Sequence, residues 1–69
     1  MNFEEALKFM KMGSKVSREA WRGTVSYWHI VLYKDRDYFV EFKPDGSSSR
    51  LFDAVELDDL NADDWFLVT

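Results

Sequence analysis

The run Tyr27-Trp28-His29-Ile30-Val31-Leu32-Tyr33 is apolar or aromatic on both of the faces a strand would present. β-Branched and aromatic residues of this density favour extended backbone. Alternation puts Trp28, Ile30 and Leu32 on one side and Tyr27, His29, Val31 and Tyr33 on the other. A strand with two apolar faces needs cover on both. Tyr38 to Lys43 alternates cleanly after the polar link Asp35-Arg36-Asp37, so strands over 27–34 and 38–43 are expected to pair as a hairpin.

The remaining elements follow from local signals. Asn2 with Glu5 three residues on is a variant capping box, and Phe3, Ala6, Leu7 and Met10 form one helical stripe. Gly13 supplies a stop, which predicts a helix over 3–12. Lys15-Val16-Ser17 is β-compatible, and Arg18 to Trp21 reads as a turn or single helical turn closed by Gly23. Pro44 to Ser49 is a turn, 50–56 a third long strand, and 57–64 an acidic connection with room for one helical turn. Trp65-Phe66-Leu67-Val68 is the closing strand. The expected fold is α+β, one N-terminal helix packed on a four- to five-stranded antiparallel sheet, in a single domain spanning 1–69. One short helix covers only one face of that sheet. A homo-oligomer, dimer or tetramer, is therefore expected, with Tyr27, His29, Val31 and Tyr33 at its interface.

A chain of 69 residues without cysteine has no disulfide to hold it, and its core must come from six Phe, three Trp and three Tyr. With His29 as the one histidine, no metal and no cofactor are expected. The N-terminus is acidic rather than basic, and no apolar run approaches the roughly 20 residues that span a bilayer. The reading is a cytoplasmic protein without membrane contact.

Charge is uneven along the chain. The net charge of −4 divides into +2 over residues 1–22, balance over 23–50 and −6 over 51–69. An acidic protein repels a nucleic-acid polymer at long range, yet a local cationic cluster can hold a small anion. No nucleophile elbow surrounds His29, and the three glycines stand too far apart for a phosphate loop. Asp58-Asp59 and Asp63-Asp64 match no calcium loop and read as a solvated acidic turn. These patterns favour a small binding domain over an enzyme. The notable constellation is Arg18-x-x-Trp21-Arg22, in which an indole could stack on a base while guanidinium groups pair with phosphate. Its structural alternative is Trp21 packed at the sheet edge with Arg18 stretched over it. Trp28 and Trp65 read as core.

The opening Met1-Asn2-Phe3-Glu4-Glu5-Ala6-Leu7, the Gly13-x-Lys15-Val16 step, Arg18-x-x-Trp21-x-Gly23 and the closing Leu60-x-Ala62-Asp63-Asp64-Trp65 together resemble the Thoeris anti-defence type 2 family. Members of that family are small phage proteins that act as sponges. They bind cyclic ADP-ribose-type signals made by a bacterial immune TIR protein, and some also hold cyclic oligonucleotides. They do not degrade the signal, and they assemble as homo-oligomers with ligand held between subunits. The resemblance implies a nucleotide-derived signal as partner, in the cytoplasm of an infected or lysogenic host. Joined to the Arg18-x-x-Trp21-Arg22 cluster, the family's closing Asp64-Trp65 motif gives an expected ligand site of Arg18, Trp21, Arg22, Asp64 and Trp65. The family commonly carries Asn where this chain has Arg22, and a longer middle. The rival reading is an acidic inhibitor whose C-terminal third mimics nucleic acid toward a host defence protein such as CRISPR machinery.

Overall fold

The computed structural model describes residues 1–50 and 55–68. Its first element is the helix α1, Phe3–Lys11. The capping box is formed: Glu5 N–H donates to Asn2 Oδ1 at 2.9 Å and Asn2 N–H to Glu5 Oε1 at 3.2 Å. The other end is a Schellman motif. Gly13 N–H reaches Met10 O and Ser14 N–H reaches Phe9 O, both at 3.0 Å. Gly13 sits at φ 96°, a conformation closed to most residues with a Cβ. Met12 therefore caps the helix, one residue short of the expected end.

The strands are β1 (Lys15–Arg18), β2 (Tyr27–Tyr33), β3 (Arg36–Phe42), β4 (Ser48–Arg50) and β5 (Trp65–Val68). They form one antiparallel sheet in the order β4-β3-β2-β1-β5. The fold is α+β as expected, with an additional short helix α2 (Leu57–Asn61) and a single 3₁₀ turn at Glu19–Trp21. No helix among the described residues is long and apolar enough to cross a membrane.

The β2–β3 link is tighter than the expected Asp35-Arg36-Asp37. Lys34 and Asp35 form the loop at φ 51° and 62°, as the type I′ turn that matches strand twist requires. Arg36 and Asp37 already belong to β3. Its register places Trp28 opposite Glu41 and Val31 opposite Tyr38. The expected strand over 50–56 is shifted: β4 begins at Ser48, inside the expected Pro44–Ser49 turn, and Val55 and Glu56 are not strand. Residues 51–54 of that expectation lie outside the described residues.

Alternation divides the sheet as the sequence implies. Val16, Trp28 and Trp65 point to the side bearing α1 and form the core with Ala6 and Met10, all at most 2% exposed. Tyr27, His29, Val31 and Tyr33 share the opposite side with Tyr38, Val40 and Phe42 of β3. Among the described residues, the core cluster includes none of these seven. An indole buries roughly 200 Å², on the order of 5 kcal/mol of transfer free energy, so Trp28 and Trp65 hold much of so small a core.

The chain ends meet at the β5 edge. Met1 and Trp65 exchange both backbone hydrogen bonds, at 2.9 and 3.1 Å, so Met1 extends the sheet by one residue. On its other side β5 pairs with β1, Trp65 opposite Arg18, which brings the residues just before β5 beside Arg18.

Candidate functional site

Three tryptophans from three elements meet at one end of the sheet. The ring centroids of Trp21 lie 4.7 Å from Trp28 and 5.1 Å from Trp65, and Trp28 lies 5.2 Å from Trp65. The planes are tilted or edge-on, the arrangement that ring quadrupoles favour. Trp28 and Trp65 are buried, while Trp21 is half-buried and closes the cluster from outside. The core reading of Trp28 and Trp65 is therefore correct.

Each buried indole has its N–H satisfied. Trp28 Nε1 donates to Glu41 Oε1 and Trp65 Nε1 to Asp59 O, both at 3.1 Å. Glu41 carries no special signal along the chain, but a two-residue hairpin loop puts it directly across from Trp28.

Arg18 ties the cluster together. Its Nε donates to Asp64 Oδ1 and its Nη1 to Asp59 Oδ1, each at 2.7 Å. The guanidinium carbon stands 5.9 Å from the Trp21 ring centre, within cation–π range. Asp64 also accepts from Ala20 N–H at 3.1 Å through Oδ2 and from Glu19 N–H through its carbonyl. It thereby fixes the start of the 3₁₀ turn that carries Trp21. The Arg18 hydrogen bond is the chief reason that the Asp64 carboxyl is held below the usual carboxylate range, against an opposing effect of burial.

The reading of Asp58-Asp59 and Asp63-Asp64 as a solvated acidic turn is corrected for two of the four. Asp59 is 7% exposed, and Asp64 is tied to Arg18 and Ala20. Asp58 and Asp63 do face solvent. Spacing alone gave no sign of this, because the cation that selects Asp59 lies in β1.

Arg22 is placed differently. It occupies the second position of a type II turn, at φ −51° and ψ 121°, followed by Gly23 at φ 84°. Thr24 N–H closes that turn onto Trp21 O at 2.9 Å. The Arg22 side chain is 76% exposed and its Nε meets Glu19 Oε2 at 2.7 Å.

The five expected site residues are thus brought into one region, with unequal access. Trp21 and Arg22 reach solvent. Arg18 and Asp64 are engaged with each other, and Trp65 lies beneath Trp21. The four expected interface residues share the face opposite α1, where Tyr33 is exposed and Tyr27, His29 and Val31 are half-buried. There Tyr27 stacks on Phe42 at 4.7 Å, and Lys15 Nζ stands 4.9 Å over the Tyr27 ring. His29 Nδ1 lies 3.3 Å from Ser14 O. Val31 and Tyr33 line a shallow cavity of about 330 Å³ with Tyr38, Val40, Ser48 and Ser49.

The fold and site define a small α+β domain whose tryptophan cluster is locked by an arginine shared between two aspartates. A profile of the Thoeris anti-defense 2-like domain matches residues 1–68 of the 69-residue chain. The chain belongs to this family, which assigns it to anti-defence against the Thoeris system. No curated protein matches the chain.

Proposed function

We propose that this protein binds a cyclic nucleotide immune signal of the cyclic ADP-ribose type, or a cyclic oligonucleotide, and sequesters it without converting it. The observation that carries this reading is the Trp21-Arg22 corner. A half-buried indole is backed by two buried ones, and the next residue presents a guanidinium on a rigid turn. Such a pair suits a ligand with a base to stack and a phosphate to pair. Arg18, Asp64 and Trp65 position the corner, and Trp21 and Arg22 contact the ligand.

Sequestration fits the chemistry of the corner. The carboxylates of Asp59 and Asp64 are tied to Arg18, which supports rigidity rather than proton transfer. A sponge works by stoichiometry, and nanomolar affinity needs about −12 kcal/mol. The apolar face opposite α1, with Tyr27, His29, Val31 and the exposed Tyr33, supports assembly as a dimer or tetramer.

The test is calorimetry of the wild type and Trp21→Ala against a panel of cyclic ADP-ribose and cyclic dinucleotides. The reading predicts tight, saturable binding to the wild type and its loss in the variant. Equal binding by both would move the site elsewhere on the molecule.

A further inference from the structure

The two arginines beside Trp21 differ in how firmly they are held. Arg18 is 14% exposed and divides its guanidinium between two carboxylates, so freeing it would uncover buried charge. Arg22 has a different partner. Its pair with Glu19 spans three residues and is open to water on both sides, at 76% and 52% exposure. Exposed pairs of this kind hold little free energy. Arg22 can therefore change partner cheaply, while the type II turn keeps its stem beside Trp21.

We propose that Glu19 stands in for the phosphate of an incoming ligand: it holds Arg22 in the empty site and is displaced when a phosphate arrives. This rests on the reading of the Trp21 corner as the signal site. A phosphate matches the guanidinium fork and carries at least as much charge as a carboxylate, so it competes for Arg22. A neutral nucleoside offers only its ring to Trp21 and leaves the Arg22–Glu19 pair in place. Glu19 thus sets how much negative charge a ligand must bring.

The experiment is calorimetric titration of cyclic ADP-ribose and of adenosine into wild type, Glu19→Gln, Arg22→Gln and the double variant. Both side chains are exposed, so the variants should keep the wild-type far-ultraviolet circular dichroism. Glu19→Gln should tighten cyclic ADP-ribose about two- to fivefold, the range an exposed pair allows, and leave adenosine unchanged. Arg22→Gln should weaken cyclic ADP-ribose about tenfold, in line with a lost charge-assisted hydrogen bond. In that background Glu19→Gln should give no further gain. Equal gain in both backgrounds would make Glu19 a general repulsive charge and overturn the proposal. Wild-type binding that Glu19→Gln leaves unchanged or weakens would overturn it while sparing the site. Failure of the wild type to bind cyclic ADP-ribose would remove both.

Discussion

Arg18 Nη1 and Asp59 Oδ1 lie 2.7 Å apart across a sequence separation of 41 residues, and the contact fastens α2 to β1. Asp59 works on three sides at once. It pairs with Arg18, it accepts from Glu56 N–H at 3.3 Å to cap its own helix, and its carbonyl receives the Trp65 indole. Asp59→Ala should therefore cost about 2–4 kcal/mol, for a broken and largely buried pair plus a lost cap. Its neighbour Asp58 is exposed, and Asp58→Ala should stay within about 0.5 kcal/mol of wild type. Urea midpoints of the two variants check the difference. Equal midpoints would contradict the role given to Asp59.

Acid should loosen the same knot. The Asp64 carboxyl sits below its ordinary value of 3.8, first because Arg18 donates to it, with Ala20 N–H and the Arg18 charge adding and burial opposing. A carboxylate whose pKa is lowered by folding stabilises the fold above its unfolded value, and that stability is lost as pH falls through the folded value. Stability should decline as pH drops below about 4. Asp64→Asn should flatten this decline without abolishing it, because Asp45 is also depressed by its hydrogen bonds from Ser47. Thermal melts between pH 2 and 6, on the scale of the carboxylate range, give the readout.

The tryptophans should separate by mutation. Trp28→Ala removes a ring that is 1% exposed and should cost about 3–5 kcal/mol, enough to unfold most of a domain this small. Trp21→Ala removes the outer ring and should leave a cooperative fold with its ligand binding lost. One-dimensional proton spectra report folding and calorimetry reports binding. Loss of fold in both variants would make Trp21 a core residue alone.

Assembly should depend on the face opposite α1. Tyr33 is 60% exposed, so Tyr33→Glu should leave the chain folded. Combined with Val31→Glu, it should shift an assembly toward monomer in light scattering at micromolar concentration. A wild type that is already monomeric under those conditions would contradict the oligomer reading.

The elements governed by local chemistry were legible in the sequence. The Asn2–Glu5 box and Gly13 bracketed α1 to within a residue, and the two-faced run over 27–33 became β2 at the centre of the sheet. The hairpin loop falls one residue earlier than expected because Lys34 is not a usual positive-φ residue and gives no turn signal. The start of β4 was missed because its serines read as turn. In the site, the Arg18-x-x-Trp21-Arg22 cluster was visible as a grouping. The division of labour within it was not, since Asp59 and Asp64 reach Arg18 only once β5 has paired with β1 and Met1.

The fate of a bound signal separates sequestration from conversion. Cyclic ADP-ribose incubated with excess wild-type protein, separated from free ligand and then released by heat denaturation, should return chemically intact and in stoichiometric amount. Trp21→Ala should retain none. Recovery of a converted product, or no retention by the wild type, would contradict sequestration at the Trp21 corner.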